Sequence, residues 1–345
     1  MKKHLSSGVD GSMLRTPVAF IIFNRPDTTE RVFAEIAKVR PAKLFVIADG
    51  PRPDRPGEAE KCAAVRAIVD GVDWECEVFR NYSDVNLGSG RRPATGVSWV
   101  FEQVEEAIIL EDDCLPHPTF FRFCQELLEK YRDDERVMMI SGNNWQFGQG
   151  RTPRSYYFSR CTGTWGWASW RRAWQHYDFV MKLWPALRDT PWLLDILGDP
   201  RQAETWQNIF DRVHASAGNV FDYQWTFACW AQNGLAITPN VNLVSNIGFR
   251  GDATHTANPT SMFANDPTAE MKFPLQHPPC MVRDREADRF TFELFFPPKP
   301  PLPVRLRRKL FAILPGPVRE GISYLWSKWK PLTLAKEAVL SEHDR

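Results

Sequence analysis

Short apolar runs alternate with segments of helical periodicity over residues 18–110, and this alternation constrains the fold more than any other feature of the chain. The apolar runs predict strands at 18–23, 44–48, 76–79 and 107–110. The segments between them predict helices at 27–39, 58–69 and 94–104, the first opened by the capping box Asp27-Thr28-Thr29-Glu30. Strands that alternate with helices predict an α/β fold with a mostly parallel sheet flanked by helices.

The character of the chain changes after Gly142, where tryptophans crowd between glycines, prolines and arginines. Further helices are predicted at 118–131, 201–214 and 223–233, and strands at 137–140, 236–238 and 243–245. Past about residue 258 the prolines are dense, which predicts a peripheral tail. We therefore expect one domain over 15–258, made of a sheet-forming half (15–113) and an irregular half (114–258), followed by a C-terminal extension over 259–345.

Charge and composition exclude several classes of protein. The chain has 43 Lys and Arg against 42 Asp and Glu, a formal net charge of +1, whereas domains that bind nucleic acid by bulk electrostatics are strongly basic. Its apolar runs are far shorter than the roughly 20 residues of a membrane-spanning helix, and the N-terminus lacks the apolar segment of a secretory signal. Seven scattered cysteines without metal-binding spacing predict reduced thiols and a cytoplasmic location.

The segment 304–329 is basic and amphipathic, with Arg and Lys placed among Leu, Phe, Ile and Trp. Such a segment can rest on an anionic membrane surface, which would make the protein peripheral on the inner face of the membrane. It can equally be a solvated helix packed on its own domain. Both interpretations stay open.

Three consecutive carboxylates, Glu111-Asp112-Asp113, follow the predicted strand 107–110 directly. Parallel sheets bind ligands at the carboxyl ends of their strands, and three carboxylates packed together there need a positive group beside them. Carboxylate oxygens suit Mg²⁺ or Mn²⁺, which keep coordination positions for water and substrate phosphates. The triplet therefore predicts a divalent metal site, with a solvated acidic loop as the alternative.

The residues around the triplet, Ile109 to Pro116, resemble the acidic signature of nucleotide-sugar-dependent glycosyltransferases with the GT-A fold. The similarity extends to Phe23-Asn24-Arg25-Pro26, Ala48-Asp49-Gly50, Asn86-Leu87-Gly88 and Thr164-Trp165-Gly166-Trp167. These segments resemble bacterial family-2-like members, some of which carry a haemolytic-protein-like label, and the resemblance covers about residues 15–256. The Glu-Asp-Asp form is similar to that of N-acetylglucosaminyltransferase I, an inverting enzyme.

This resemblance implies that 15–113 hold a nucleotide sugar and that 114–258 form the acceptor half. The side chains it implies for the nucleotide sugar are Asn24, Arg25, Asp49, Arg91, Arg92, Glu111, Asp112, Trp165 and Trp167. Arg25 offers a planar donor fork for phosphate, and Asp49 offers two acceptor oxygens. The alternatives are ordinary: turn residues at Asn24 and Asp49, and solvated cations at the three arginines.

The resemblance also implies a catalytic base and metal ligands. Inverting sugar transfer needs a carboxylate or imidazole that can act as a base within hydrogen-bond reach of the acceptor hydroxyl. Asp222, at the start of a predicted helix, matches the position of this base in the resembling enzymes. Its alternative role is an N-cap. Asp113 would bind Mn²⁺ or Mg²⁺ with His255 as a further candidate ligand, ahead of Asp252. Trp165 and Trp167, with Trp145 nearby, are either walls of the site or core residues.

These expectations favour a metal-dependent glycosyltransferase that transfers a sugar, from a UDP-sugar in preference to other nucleotide sugars, to a glycan or lipid-linked hydroxyl acceptor. We expect inversion and a role in surface polysaccharide or glycan synthesis. A nucleotidyltransferase is one alternative, although Asn24-Arg25-Pro26-Asp27 stands where those enzymes usually carry a Gly-rich phosphate loop. A non-catalytic sugar-nucleotide or glycan-binding module is the other, and nothing in the chain is typical of a pore former.

Overall fold

The strands of the protein form one large sheet and one short ribbon. The computed structural model describes residues 13–216, 220–251 and 258–298. Over these residues the strands are β1 (Val18–Ile22), β2 (Lys43–Ala48), β3 (Glu77–Tyr82), β4 (Glu106–Glu111), β5 (Cys114–Pro116), β6 (Val137–Ser141), β7 (Tyr156–Ser159), β8 (Trp167–Trp170), β9 (Leu235–Pro239) and β10 (Val244–Asn246). The large sheet has the order β3-β2-β1-β4-β8-β6-β9-β7, and β10 pairs with β5 in the ribbon.

Most strands of the large sheet run in the same direction. Strands β1 to β4 are mutually parallel, and β6 is parallel to β9. Strand β8 lies antiparallel between β4 and β6, and β7 is antiparallel to β9 at the edge. The prediction of an α/β fold with a mostly parallel sheet flanked by helices is confirmed.

Helices cover both faces of this sheet. The full set of helices over the described residues is α1 (Pro26–Val39), α2 (Glu58–Val69), α3 (Gly88–Phe101), α4 (Thr119–Lys130), α5 (Arg171–Trp174), α6 (Trp184–Leu187), α7 (Trp192–Leu197), α8 (Pro200–Ser216), α9 (Asp222–Ala231) and α10 (Arg285–Phe295). On one face, Phe20 and Leu110 share an apolar cluster with Val32 of α1 and Phe120 of α4.

Helix α3 covers the opposite face at very short range. Residues that alternate along a strand point to opposite faces, so Ile47 faces α3 while its neighbour Val46 belongs to the cluster on the other face. A Cβ atom on Gly96 of α3 would lie 2.4 Å from Cγ2 of Ile47. Only glycine at position 96 allows this approach of the helix to the sheet.

The sequence missed three of these strands and misplaced the start of α3. Strands β7 and β8 lie inside the Trp-rich stretch that we expected to be irregular, and β5 follows the triplet. Helix α3 begins at Gly88 rather than at the predicted Ala94. Residues 89–92, expected in a loop, are therefore in the first helical turn.

The chain forms two compact units, residues 1–288 and 289–345. In the first unit, Met271 and Leu275 are buried in the apolar cluster although they lie beyond the predicted boundary at 258. In the second unit the structure describes residues 289–298, where the rings of Phe292 and Phe296 are 5.2 Å apart. The basic segment 304–329 lies outside the described residues, and the domain limits stay a prediction.

None of the helices in the described ranges is both long enough and apolar enough to cross a membrane.

Candidate functional site

The acidic triplet lies at the carboxyl edge of the sheet, beside the loop that follows β1. Glu111 is paired with Ile21 of β1, and the backbone N–H of Phe23 donates to Oδ2 of Asp112 at 2.9 Å. Since β1 and β4 are parallel, the end of each strand reaches the same edge. The triplet and the Asn24-Arg25 loop therefore meet where the sequence predicted a ligand site.

Arg25 forms an ion pair with the third carboxylate of the triplet. Its Nη1 donates to Oδ2 of Asp113 at 2.7 Å, and the two side chains are only 15% and 14% exposed. The sequence placed Arg25 near phosphate and Asp113 on a metal, but it gave no sign that the two side chains contact each other.

A segment from the second half of the chain, residues 244–251, packs against this ion pair. We call it the 244–251 strap. Strand β10 pairs with β5, directly after the triplet, and Ile247 donates its N–H to the backbone oxygen of Asp113 at 2.8 Å. A Cβ atom on Gly248 would lie 2.1 Å from Oδ2 of Asp113 and 2.8 Å from Nη1 of Arg25. Further along, Arg250 pairs with Asp27 of α1 at 2.6 Å.

The carboxyl groups of the triplet lie in an environment that disfavours their ionised forms. Burial raises the pKa of Glu111 well above its usual range, and the charges of Asp113, Asp112 and Asp222 raise it further, while Arg25 opposes them. Burial, followed by the charge of Asp113, raises the pKa of Asp112 to about 7. Burial is the larger cause and the neighbouring carboxylates add to it, so a cation that replaces a proton here would stabilise the ionised groups.

Asp222, the predicted base, is brought to the same edge of the sheet. It is the first residue of α9, and its Oδ1 accepts from the N–H of Tyr223 at 3.0 Å. Its charge raises the pKa of Glu111, and it adds to the effect of burial on Tyr177. The N-cap position of α9 belongs to Phe221, so the alternative of Asp222 as the N-cap residue is wrong.

Asn24 and Asp49 make hydrogen bonds within the protein. Asn24 donates to Oε1 of Glu58 at 2.9 Å, and Glu58 also binds the side chain of Arg52. Asp49 is buried, and its two oxygens accept from the N–H groups of Gly50, Leu87 and Gly88 and from the side chain of Asn86. A nucleotide contact from Asp49 would compete with these four bonds and stays a prediction.

The two arginines at the start of α3 have different environments. Arg91 is exposed, and its guanidinium lies 5.9 Å from the ring centroid of Phe179. Arg92 is only 4% exposed and donates to the backbone oxygens of Ala48 and Asn81 and to the side chain of Asn81. In this structure Arg92 therefore fastens α3 to the ends of β2 and β3, whereas Arg91 faces solvent.

The two candidate tryptophan walls also separate. Trp165 is partly exposed and packs edge-to-face on Trp145, Phe249 and Phe263, with centroids 5.6 to 6.3 Å apart. Trp167 is completely buried in β8, which is the position of a core residue rather than of a wall open to ligand. Asp252 and His255 lie outside the described residues.

Trp167 belongs to an aromatic cluster that sequence reasoning did not identify as a unit, on the sheet face that also carries Glu111. Its members are Trp167, Trp174, Tyr177 and Trp225. Trp174 stacks on Tyr177 at 4.1 Å and lies 5.0 Å from Trp225. Trp167 is paired with Ile109 of β4, so it shares a sheet face with Glu111, two residues further on.

Helix periodicity is the signal that could have found part of this cluster. Trp225 lies one turn after Asp222, so a helix that turns Asp222 towards the triplet also turns Trp225 towards the sheet. Tyr177 carried no comparable signal. Its hydroxyl and the indole N–H groups of Trp167 and Trp225 are buried without a hydrogen-bond partner among the described residues.

The donor set of the triplet suits a divalent cation. Among the described residues, no group of three or more His, Cys, Asp or Glu side chains is arranged to hold a metal ion. However, Mg²⁺ sites often use only one or two protein carboxylates and take the remaining ligands from water and substrate phosphates. Asp112 and Asp113 supply two carboxyl groups beside a third, that of Glu111, and this chemistry fits such a site.

Comparison with known proteins gives a resemblance in structure only. No protein-family profile and no curated protein sequence matches the chain. A mannosyltransferase from Pyrobaculum calidifontis, in complex with GDP-mannose and Mn²⁺, matches with 12% identity and a TM-score of 0.35, covering 72% of this chain and 62% of the mannosyltransferase. The chain thus spans less than two thirds of that protein's length.

Two further solved structures match at similar levels. A 4-diphosphocytidyl-2C-methyl-D-erythritol synthase from Anaerococcus prevotii matches with 9% identity and a TM-score of 0.34, covering 65% of this chain and 86% of that enzyme. A UDP-glucose pyrophosphorylase complexed with UDP-glucose matches with 9% identity and a TM-score of 0.31, covering 65% of this chain and 90% of that enzyme. The function must therefore be argued from the site itself.

Proposed function

We propose that the protein is a metal-dependent glycosyltransferase that moves a sugar from a nucleotide diphosphate sugar to a hydroxyl acceptor. The observation that carries this proposal is the convergence of three kinds of group at one edge of the sheet. Asp112 and Asp113 come from the end of β4, Arg25 from the loop after β1, and Asp222 from the start of α9. A cation site, a phosphate-binding fork and a separate carboxylate are the groups that this transfer requires.

The groups on the β1 and β4 side serve the donor. Asp112 and Asp113 would hold Mn²⁺ or Mg²⁺, and the bound cation would neutralise the charge that develops on the departing diphosphate. Arg25 presents a planar guanidinium whose paired N–H groups match phosphate oxygens. UDP is the nucleotide that we favour, on the basis of the family resemblance.

Asp222 serves the acceptor. In the proposed reaction its carboxylate accepts the proton of the acceptor hydroxyl while that oxygen attacks the sugar carbon and the bond to the diphosphate breaks. A single displacement of this kind inverts the configuration at that carbon. Asp222 belongs to the second half of the chain, whereas the donor groups belong to the first, so the acceptor would approach from the side of α9. The acceptor we propose is a glycan or lipid-linked precursor of a surface polysaccharide.

Calorimetric titration with UDP, with and without Mn²⁺, tests the donor site. We expect the wild type to bind UDP only with Mn²⁺, Asp113→Asn to lose this binding, and Asp54→Asn to retain it, because Asp54 is 76% exposed in a separate loop. If UDP does not bind, GDP, CDP and dTDP are tested in the same way. Failure of all four with folded protein would overturn the proposal.

A turnover assay with the matching nucleotide sugars tests the chemistry. Asp222→Asn should bind the donor with wild-type affinity and transfer no sugar. Normal transfer by a folded Asp222→Asn variant would remove the base assignment. Donor binding without turnover by the wild type, against a panel of glycan acceptors, would instead favour a non-catalytic sugar-nucleotide-binding module.

A further inference from the structure

Arg25 and Asp113, two residues of the proposed site, are in direct contact with each other. Their ion pair is 2.7 Å long, and both side chains are mostly buried. Removing two charges from water is unfavourable, and the cost is recovered only when the geometry is good and the pair stays intact. Arg25 also opposes the effects that raise the pKa of Glu111 and Asp112. The guanidinium therefore acts as a counter-cation for the whole triplet.

The 244–251 strap fits around this pair. Because a Cβ atom at position 248 would overlap Oδ2 of Asp113 at 2.1 Å and approach Nη1 of Arg25 at 2.8 Å, a residue larger than glycine cannot occupy this position without displacing one of them. The strap is fixed on both sides of Gly248, by the N–H of Ile247 on Asp113 and by the ion pair of Arg250 with Asp27. The pair is thus a packed arrangement rather than a loose surface contact.

The ion pair competes with the proposed ligands of both side chains. A Mg²⁺ ion binds carboxylate oxygen at about 2.0–2.1 Å, so an ion on Oδ2 of Asp113 would repel the guanidinium that lies 2.7 Å from that oxygen. Equally, an N–H group directed at Asp113 is not directed at a phosphate. A cation on Oδ2 therefore favours release of Nη1, and a phosphate on Nη1 favours release of Oδ2.

We propose that Arg25 exchanges partners during ligand binding, from Asp113 in the ligand-free protein to the diphosphate of the donor when a divalent cation occupies Asp113. This proposal rests on the proposed function for the identity of the diphosphate. Cation binding frees the guanidinium for phosphate, and phosphate binding frees the carboxylate for the cation. Each ligand therefore increases the affinity for the other by the same factor.

Binding of Mn²⁺ and UDP, each measured alone and in the presence of the other, tests the exchange. In Arg25→Ala, Asp113 has no guanidinium to give up, so Mn²⁺ alone should bind about tenfold more tightly than it binds wild type. UDP at saturating Mn²⁺ should bind about tenfold more weakly, because the phosphate loses its fork. The factor by which Mn²⁺ raises UDP affinity should fall accordingly.

Arg250→Ala is the matched control. Arg250 also lowers the pKa of Asp112, so its removal takes one positive charge from the same region, but Arg250 forms its ion pair with Asp27 rather than with Asp113. We expect a smaller change in Mn²⁺ affinity and the wild-type coupling between Mn²⁺ and UDP. Arg25→Gln, which keeps much of the side-chain volume, repeats the test if Arg25→Ala does not fold.

The outcomes separate the two proposals. If wild type binds Mn²⁺ and UDP but the Arg25 variants bind Mn²⁺ alone no more tightly, the partner exchange is wrong and the proposed function stands. An equal gain of Mn²⁺ affinity in Arg250→Ala also overturns the exchange, since general electrostatics would then explain it. If neither the wild type nor any folded variant binds Mn²⁺, with or without UDP or another nucleoside diphosphate, the proposed function fails together with the exchange.

Discussion

Oδ2 of Asp49 accepts a hydrogen bond of 2.9 Å from the backbone N–H of Gly88, the first residue of α3. Oδ1 of the same carboxylate accepts from the N–H of Leu87, also at 2.9 Å. The first N–H groups of a helix have no partner within the helix, and Leu87 at the N-cap position makes no side-chain capping bond. The end of β2 therefore caps a helix that starts almost forty residues later in the chain.

Asp49→Ala should destabilise the protein by about 2 kcal/mol or more, because it leaves buried N–H groups without an acceptor. Urea unfolding followed by fluorescence measures this change. Asp54→Ala is the matched control, since Asp54 is a solvent-exposed carboxylate five residues further along the same loop, and we expect less than about 0.5 kcal/mol there. Equal stability of the two variants would contradict the capping role.

Substitution of the two neighbouring arginines of α3 should change the stability of the protein by very different amounts. Arg92→Ala removes a buried guanidinium that binds Ala48 and Asn81, and we expect a loss of about 3 kcal/mol in unfolding free energy. Arg91→Ala, at an exposed position, should change stability by less than about 0.5 kcal/mol. If Arg91 contacts the donor, as the family resemblance implies, Arg91→Ala weakens UDP binding without changing stability.

Asp112 should make the protein less stable as the pH rises. Its pKa is raised from 3.8 to about 7 in the folded protein, so the folded state holds a proton that the unfolded state releases, and stability falls between about pH 4 and pH 7. Asp112→Asn retains an acceptor for Phe23 and removes this titration. We expect it to exceed wild type by on the order of 1–3 kcal/mol at pH 8 and by much less at pH 4.

Asp27 gives a comparison of opposite sign for the same measurement. Burial tends to raise its pKa, but the hydrogen bond and charge of Arg250 lower it overall. Asp27→Asn should therefore be less stable than wild type at neutral pH, with the difference lost as the pH falls below the usual value of an aspartate. If the difference in unfolding free energy from wild type changed with pH in the same direction for the Asp112 and Asp27 variants, the two charges would not act as described.

Two tyrosines with buried hydroxyl groups, Tyr156 and Tyr177, provide a test of hydrogen bonding. The hydroxyl of Tyr156 bonds to Tyr131 at 2.7 Å and to Nδ1 of His277 at 2.9 Å, so Tyr156→Phe should cost about 1–3 kcal/mol. The hydroxyl of Tyr177 has no such partner among the described residues, so Tyr177→Phe should leave stability unchanged or raise it slightly. Sugar transfer lost by a fully stable Tyr177→Phe would assign this hydroxyl to the site.

The sheet was largely predictable because β1, β2 and β4 are buried. Apolar runs at 18–23, 44–48 and 107–110 correspond closely to β1, β2 and β4, since a parallel strand covered on both faces is apolar throughout. Strand β8 has the same burial but consists of Trp-Ala-Ser-Trp. In the sequence, these aromatic residues could equally line a ligand site or fill a core. Only the pairing of β8 with β4 and β6 shows that they belong to a buried strand.

The position of the site followed from topology, whereas its internal contacts did not. A triplet placed after β4 must lie near the loop after β1 once the strands are parallel neighbours, and Arg25 does lie there. Its guanidinium binds Asp113 across 88 positions of the chain, and Gly248, which packs on both, lies a further 135 positions beyond Asp113. No local pattern encodes a contact of this kind, because it is created by tertiary packing.

The aromatic cluster that contains Trp167 gives the folded protein an optical signature. Rings held 4.1 to 5.8 Å apart at fixed angles couple their electronic transitions and produce circular dichroism bands of their own. These bands add to the far-UV spectrum, so an ordinary conversion of that spectrum into helix content is distorted for this chain. In the near-UV, the same bands vanish when tertiary packing is lost while helices persist, and they therefore monitor the order of the packing beneath the site.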